Sequence, residues 1–191
     1  MKLDRILPFA RLLLQNAVCE GNIAVDGTMG NGHDTEFLAN LVGDSGHIYG
    51  FDIQERAITE TSKRLKSAEL DSRCTLFLAG HEQIKRKIPE QYHGQVTGAI
   101  FNLGYLPGGD KSIVTTEKTT IEAIEQLLDI MAPEGIIVLV IYHGHPGGAV
   151  ERDAILDFTG SLPQERAHVL QYRFINQANN PPFIVAIEKR Q

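Results

Sequence analysis

Short apolar runs alternate with amphipathic segments along most of the chain. The runs have the length and near-continuous hydrophobicity of strands buried in a parallel sheet, at residues 22–26, 46–52, 74–78, 96–102 and 136–141. Apolar residues recur at helical spacing in the segments around them, at 6–18, about 34–42, 54–70, 118–131 and 150–158, with a short basic piece ending near 88. This alternation predicts an α/β fold with a mostly parallel sheet and helices on both faces.

The end of the chain breaks the alternation. Residues 168–175 and 183–188 both have strand character, and the connector at 176–182 is rich in Asn and Pro with no room for a helix. We therefore predict seven strands, the last two forming an antiparallel hairpin. A plain dinucleotide-binding fold would continue with parallel strand–helix units.

A glycine-containing loop joins the first strand to its helix. It begins at Asp26 and contains Gly30 and Gly32, and Asp52 follows twenty residues later at the end of the second strand. Backbone N–H groups at such a turn are expected to be unpaired and to face a ligand. The spacing to Asp52 suits a carboxylate that binds two ribose hydroxyls, so the sequence predicts a nucleoside-containing cofactor.

The details of the loop bear on which cofactor binds. Thr35 stands where the dinucleotide fingerprint has its third glycine, which speaks against an NAD-dependent oxidoreductase, and the Walker Gly-Lys-Ser/Thr run is absent. The Asp26-x-x-x-Gly30-x-Gly32 pattern resembles the first motif of class I S-adenosylmethionine-dependent methyltransferases. Asp26 would then face the amino-acid end of the cofactor, directly or through water. The simplest alternative is a tight glycine turn with Asp34 as a helix cap.

Further candidate cofactor residues follow from their positions in these loops. His81 and Glu82 come after the third strand and are expected at the edge of an adenine pocket, with a helix cap as the alternative. The full predicted cofactor set is Asp26, Thr28, Gly30, Asn31, Gly32, Asp34, Asp52, Gln54, His81, Glu82 and Asn102.

The fourth strand runs into a second candidate loop. Asn102 and Tyr105 keep the Asn-x-x-Tyr spacing of the Asn/Asp-Pro-Pro-Tyr motif of amino-methyltransferases, although Leu103 and Gly104 replace the two prolines. An Asn oxygen can accept the hydrogens of an amine and direct its lone pair, and a Tyr ring can stack on a base. A glycine-rich loop that merely closes the strand is the alternative interpretation.

The fifth strand ends in His143-Gly144-His145, beside the expected site. The pair suits proton transfer from a substrate amine, or substrate contact and loop structure. Metal ligation is a third interpretation, but no third ligand cluster is evident and methyl transfer needs no metal, so we predict no metal site.

Composition narrows the class of protein. The 191 residues suit a single domain, 1–191, and no apolar run approaches the ~20 residues needed to cross a membrane. The opening residues do not resemble a signal peptide. Cys19 and Cys74 are interpreted as buried thiols of a cytoplasmic protein. The net charge of −6 argues mildly against a large nucleic-acid footprint.

Several segments together resemble the bacterial rRNA methylase-like family, which includes the tRNA 5-(aminomethyl)-2-thiouridine methyltransferase of Gram-positive bacteria. The resemblance spans nearly the whole chain and rests on residues 26–35, 51–54, 81–82, 101–111, 142–145 and 176–183. The family usually has Ala where this chain has Gly27. The resemblance implies a Rossmann-like class I methyltransferase, S-adenosylmethionine as cofactor, the tRNA anticodon arm as partner, and a homodimer. The implied reaction is N-methylation of 5-aminomethyl-2-thiouridine at the wobble position, with Asn102, Tyr105, His143 and His145 on the substrate side.

Other functions remain open at this stage. A small-molecule amine methyltransferase is favoured by the acidic charge, and an rRNA methyltransferase shares the family resemblance. From a different class, the chain could be a cofactor-binding regulatory protein without catalysis. Transfer of a labelled methyl group to tRNA distinguishes these functions.

Overall fold

The computed structural model describes residues 2–106, 108 and 113–190. Within these residues helices and strands follow one another in the order that the hydrophobic pattern predicts. The elements are α1 Ile6–Ala17, β1 Ile23–Asp26, α2 His33–Val42, β2 His47–Asp52, α3 Glu55–Ser67, β3 Cys74–Leu78, α4 Ile84–Lys87, β4 Val96–Leu103, α5 Glu117–Ile130, β5 Met131–Ile141, α6 Gly148–Ser161, β6 Ala167–Tyr172 and β7 Phe183–Lys189. Positions 107 and 109–111 of the motif run at 101–111 lie outside the described residues.

The strands of the described part of the chain form one seven-stranded sheet in the order β3-β2-β1-β4-β5-β7-β6. The neighbours from β3 to β5 pair in parallel, whereas β7 pairs antiparallel with both β5 and β6. The predicted antiparallel hairpin is therefore confirmed. Because the connector between β6 and β7 contains no helix, the chain turns straight back and inserts β7 beside β5.

Alternating side chains along the strands build one hydrophobic core on each face of the sheet. In β5, Val138 and Val140 pack with residues of α1, α2 and α3. Their neighbours Ile137 and Leu139 point to the other face, where α4, α5 and α6 contribute. This three-layer arrangement confirms the predicted helices on both faces.

The parallel strands bring their carboxyl ends to one edge of the sheet. β1 lies between β2 and β4, so the chain order reverses direction next to β1. In open α/β sheets, ligands bind outside the carboxyl ends of the strands at such a reversal. The loops after β1, β2, β3, β4 and β5 therefore meet at the expected position of a binding site.

Two local predictions were wrong. The fifth strand was predicted at 136–141, but β5 already begins at Met131, directly after α5 ends at Ile130. The segment at 133–135 therefore belongs to β5. The β4–β5 register shifts between Val96 and Gly98, and Glu134 has a φ of 65°, so this segment forms an irregularity within the strand.

The second correction concerns the thiols. Cys19 is exposed, and Cys74 is only half-buried, although burial raises its pKa to about 12.

No helix among the described residues is both long and apolar enough to span a bilayer.

Candidate active site

The buried side chain of Asp26 links the two ends of the loop after β1 by hydrogen bonds. Its side chain is fully buried, with Oδ1 accepting a hydrogen bond from the Thr28 backbone N–H at 3.2 Å and Oδ2 accepting one from the Thr35 hydroxyl at 2.6 Å. Burial first, and then the nearby Asp34 charge, raises the pKa of Asp26 to about 7. The carboxylate turns into the protein and does not line the cavity described below, so Asp26 acts on that cavity through the loop that it holds.

The backbone N–H groups of this loop are largely bonded within the protein. Gly27 donates to the Ile100 carbonyl, Met29 to the Phe51 carbonyl, Gly30 to Asp52 Oδ2 and Gly32 to the Met29 carbonyl. These four N–H groups are therefore occupied within the protein and do not face a ligand, unlike what was expected of the turn. A pyrophosphate at a strand–helix turn needs such groups free, so the loop favours a cofactor without phosphates.

The two glycines of the motif have different structural roles. Gly32 does not line the cavity described below. It has a φ of 77°, and a Cβ there would lie 2.9 Å from Thr61 Cα, so glycine allows the loop to pack against α3. Gly30 does line the cavity, with a φ of 54° and Leu106 as the nearest neighbour of an added Cβ.

A cavity of about 790 Å³ opens at the carboxyl edge of the sheet. This volume is typical of small-molecule sites, which run from ~300 to 1,000 Å³. The predicted site residues that line it are Thr28, Gly30, Asn31, Asp34, Asp52, Gln54, His81, Glu82, Asn102, Tyr105 and His145. Asp26, Gly32 and His143 do not line it. The structure therefore brings both halves of the predicted site into one cavity.

Asp52 is the central polar residue on the β2 side of the cavity. Its Oδ2 accepts the Gly30 N–H and its Oδ1 accepts the Gln54 N–H, both at 3.0 Å. Each carboxylate oxygen can accept a further hydrogen bond, so Asp52 can still bind two ligand hydroxyls. The adjacent Ile53 is 58% exposed and offers an apolar surface that a nucleobase could cover.

His81 closes the cavity wall between the β1 and β3 loops. Its Nδ1 lies 3.2 Å from the Gly27 carbonyl, which can only accept, so Nδ1 carries the proton. Nε2 is buried without a hydrogen-bond partner among the described atoms. Burial lowers the pKa of His81, which keeps the ring neutral and leaves Nε2 as an acceptor for a ligand donor.

Asn102 is held at the end of β4 by its side chain and its backbone. Its Nδ2 donates to Asp34 Oδ2 at 2.9 Å, and its backbone N–H donates to Thr28 Oγ1 at 2.7 Å. Asp34 Oδ1 in turn accepts hydrogen bonds from Arg11 Nη2 at 3.0 Å and Nε at 3.3 Å. The amide is thus fixed at the cavity wall and leaves its oxygen as the unbonded end.

Tyr105 and His145 line the same cavity as Asn102 and contact each other. Their rings meet edge to face with centroids 5.9 Å apart. His145 Nδ1 lies 3.0 Å from the Pro146 carbonyl and therefore donates, while Nε2 is buried and has no hydrogen-bond partner among the described atoms. His145 can accept a proton or a hydrogen bond from a group in the cavity.

His143 lies outside the cavity, which corrects its assignment to the substrate side. Its ring meets Phe183 edge to face at 5.6 Å, and burial lowers its pKa. The two histidines point to different places because they flank Gly144 in a turn. Within the described part of the chain, no group of three or more His, Cys, Asp or Glu side chains could hold a metal ion.

Glu151 anchors the far end of the loop that carries Tyr105. This buried carboxylate of α6 accepts hydrogen bonds from the Thr115 hydroxyl at 2.8 Å and the Thr120 hydroxyl at 3.1 Å. Thr115 also bonds back to Gly104 through N–H to carbonyl and N–H to hydroxyl contacts. Burial raises the pKa of Glu151. No pattern in the sequence pointed to this contact, because Glu151 lies on α6, between the motif segments at 142–145 and 176–183 and in neither of them.

Residues 48–188 match the family described as "Putative rRNA methylase". The chain belongs to this rRNA methylase family. A relative from Arabidopsis thaliana, the chloroplastic tRNA (mnm(5)s(2)U34)-methyltransferase, is 34% identical over 188 residues, covering 94% of this chain and 68% of that protein.

Two solved structures are also similar over their whole length. A "putative rRNA-methylase" from Clostridium thermocellum has a TM-score of 0.95 at 41% identity, covering 99% of this chain and 100% of the other. A "putative methyltransferase" from Streptococcus mutans, solved in complex with SAH, has a TM-score of 0.88 at 36% identity, covering 98% and 99%. This chain therefore has the Rossmann-like class I methyltransferase fold.

Membership of the rRNA methylase family makes S-adenosylmethionine the methyl donor. The cavity fits this cofactor on three independent observations. Asp52 retains acceptor capacity for hydroxyls, His81 Nε2 is a buried acceptor without a hydrogen-bond partner among the described residues, and the N–H groups of residues 27–30 and 32 in the loop after β1 are already bonded within the protein, where a phosphate would need them free. The chain is thus an S-adenosylmethionine-dependent methyltransferase.

Sequence reasoning missed the contribution of α1 to the site of this family member. Leu7 and Arg11 line the cavity, although α1 precedes the first strand and carries no motif. One signal was present in the sequence: Arg11 lies in the helix one residue from the apolar stripe. Asn180 also reaches the cavity, from the Asn- and Pro-rich connector before β7.

Gly27 packs directly against the ring of Phe101. A Cβ on Gly27 would lie 2.1 Å from Phe101 Cε1, and the Phe101 ring is fully buried and packs edge to face on His81. We expect Gly27→Ala to lower the free energy of unfolding by about 2 kcal/mol through overpacking. Adding Phe101→Leu should recover part of that loss. Urea unfolding of the single and double variants measures the coupling.

Gly160→Ala is the matched control for this substitution. Gly160 lies in α6, and no atom of the described residues lies within 4 Å of an added Cβ, so alanine should leave stability unchanged or raise it. Additive effects of Gly27→Ala and Phe101→Leu would contradict the proposed steric pairing.

Proposed function

We propose that this protein methylates the primary amine of 5-aminomethyl-2-thiouridine at the wobble position of tRNA, giving 5-methylaminomethyl-2-thiouridine. The observation that carries the proposal is the Asn102 amide, fixed by Asp34 so that its oxygen is left for a donor in the cavity. The name of the Arabidopsis relative supports the choice of tRNA nucleoside. We further propose that residues 1–191 act as one domain in a cytoplasmic homodimer.

The cofactor side of the cavity is assigned first. Asp52 accepts the ribose hydroxyls, and Ile53 covers a face of the adenine. His81 and Glu82 stand at its edge, with Gln54, Thr28, Gly30 and Asn31 completing the wall. When bound, S-adenosylmethionine would supply a methyl group on a sulfonium sulfur, which an amine lone pair can attack while the carbon–sulfur bond breaks and S-adenosylhomocysteine leaves.

The substrate side then acts on the amine. Asn102 Oδ1 accepts one amine hydrogen and so directs the lone pair, and Tyr105 offers a ring face or edge to the uracil base. An alkyl amine is mostly protonated at neutral pH, so a base must remove a proton and free the lone pair before methyl transfer. His145 Nε2, buried and carrying a lone pair at this wall, fits that role.

The anticodon arm has to approach an acidic protein. The formal charge of −6 is spread over the whole chain, while Arg11 lines the cavity and Arg56 donates a hydrogen bond to the Gly108 carbonyl. These cations offer local positive charge for the phosphates that flank the wobble nucleoside. The affinity for tRNA should therefore fall as the salt concentration rises, with a small slope of log K against log salt concentration.

Methyl transfer to defined RNA tests the proposal. The purified protein is incubated with isotope-labelled S-adenosylmethionine and tRNA that carries 5-aminomethyl-2-thiouridine, and the nucleosides are separated by mass spectrometry. We expect the label in 5-methylaminomethyl-2-thiouridine alone. The matched control is the same tRNA transcript with unmodified uridine at the wobble position.

Parallel reactions with ribosomal RNA and with small alkyl amines separate the competing functions. Label in ribosomal RNA would favour an rRNA methyltransferase, and label in free amines at equal efficiency would favour a small-molecule enzyme. Cofactor binding without transfer to any of these acceptors would contradict an amine methyltransferase and favour a regulatory protein.

A further inference from the structure

We propose that Asp34, supported by Arg11, is a positioning residue that fixes which end of the Asn102 amide faces the cavity. Asp34 thereby makes the site selective for a nucleophile that carries hydrogens. This inference rests on the proposed function for its catalytic consequence, but its structural part stands on contacts alone. It replaces the sequence-based expectation that Asp34 binds the cofactor.

Both oxygens of Asp34 are engaged in this arrangement. Oδ2 accepts from Asn102 Nδ2 at 2.9 Å, and Oδ1 accepts the two hydrogen bonds from Arg11. The Asp34 side chain is only 13% exposed. Three elements therefore meet at one carboxylate: α1 through Arg11, α2 through Asp34 and β4 through Asn102.

The chemistry of a carboxylate decides the direction of the Asn102 amide. The two ends of an Asn amide are nearly equal in shape, but an ionised carboxylate can only accept hydrogen bonds. The Arg11 guanidinium and the amino end of α2 both attract negative charge to Asp34. The NH₂ group of Asn102 must therefore face Asp34, and the oxygen is left to face the cavity.

The remaining oxygen selects among substrates. An amine or ammonium group carries hydrogens that Asn102 Oδ1 can accept, whereas a fully substituted nitrogen has none to offer. If the amide were reversed, its NH₂ group would compete with the methyl group for the amine lone pair. Asp34 thus influences the reaction through Asn102 without touching the substrate.

Exchanging the two side chains tests this role. Asp34→Asn removes the restriction on the amide, and Asn102→Asp places two carboxylates against each other. The double variant Asp34→Asn with Asn102→Asp restores one donor facing one carboxylate, now in reverse order. We expect each single variant to lose at least about tenfold in kcat, and the double variant to regain most of it.

The pH profile separates positioning from general structural support. In Asn102→Asp, a proton shared between the two carboxylates restores the hydrogen bond. The ratio of its activity to that of the wild type should rise as the pH falls from 8 to 6, while the double variant should show a flat ratio. The dissociation constant for S-adenosylhomocysteine should stay within about twofold in all three variants.

A measurement without substrate keeps this inference separable from the proposed function. In ¹⁵N-labelled protein, the Asn102 side-chain NH₂ signals are identified by their loss in Asn102→Asp. We expect Asp34→Asn to shift them and speed their exchange with water, and Glu36→Gln, a carboxylate on the same helix outside the cavity, to leave them unchanged. If the wild type methylates no amine, the proposed function fails and these signals still decide the role of Asp34. Unchanged signals together with unchanged kcat in Asp34→Asn would overturn the inference.

Discussion

Asn102→Ala is expected to lower kcat for methyl transfer by about 100-fold or more. Alanine removes the oxygen that accepts the amine hydrogen and directs its lone pair, and a misdirected nucleophile typically costs about this factor. The backbone N–H of residue 102 still donates to Thr28 Oγ1 after the substitution, so the loop on the cofactor side keeps its support. The dissociation constant for S-adenosylhomocysteine should therefore change by no more than about twofold.

Single-turnover kinetics with saturating tRNA and calorimetry with S-adenosylhomocysteine separate these two effects. Asn40→Ala is the matched control, because Asn40 is exposed on α2 and its side chain only bonds to the Glu36 carbonyl of the preceding turn. Loss of cofactor affinity in Asn102→Ala in proportion to kcat would assign Asn102 to the cofactor instead. Full activity would remove it from the mechanism.

The strands and helices of this protein were predictable from periodicity. Val138 and Val140 pack on one face of β5 and Ile137 and Leu139 on the other, so the strand has to be apolar at every position. The irregularity at 132–135 was not predictable in the same way. Pro133 and Gly135 interrupt a helix and a strand equally well, and only the pairing with β4 decides between them.

The position of the site could also be predicted, because loops that follow parallel strands meet at one edge. Asp52 and Asn102 come together at the cavity for that reason. The direction of each side chain could not be predicted. Asp26 turns inward because the buried hydroxyl of Thr35, nine residues later, provides a donor, and the spacing of the motif does not specify this contact.

The roles of α1 and of the two histidines could not be predicted either, because they too depend on contacts between residues distant in sequence. Arg11 reaches Asp34 across the sheet edge, a contact between residues 23 positions apart that no local pattern encodes. His143 and His145 flank the same glycine and look equivalent in the sequence. In the structure His143 packs against Phe183 of β7, whereas His145 packs against Tyr105. The packing partners are distant in sequence, so tertiary structure alone distinguishes the two residues.

The buried carboxyl of Asp26 is expected to make stability fall as pH rises. Burial raises its pKa to about 7 from an ordinary value of 3.8, so between these values the folded protein keeps a proton that the unfolded chain releases. The cost is absent below about pH 4 and complete above about pH 7. The difference between a pKa of 3.8 in the unfolded chain and about 7 in the folded protein corresponds to roughly 4 kcal/mol of unfolding free energy.

Asp26→Asn should abolish this pH dependence of the unfolding free energy and leave the conformation of the loop after β1 unchanged. The Asn oxygen can accept the Thr28 N–H, and its NH₂ group can donate to Thr35 Oγ1, so both contacts of Asp26 persist in neutral form. Urea unfolding from pH 4 to pH 8 should show the wild type losing stability relative to Asp26→Asn, by an amount on the order of 4 kcal/mol over the range. Asp157→Asn changes an exposed carboxylate and should follow the wild-type curve. Parallel curves for the wild type and Asp26→Asn would mean that the Asp26 carboxyl is already charged at pH 4 in the folded protein, and that the loop stabilises the ion instead of the acid.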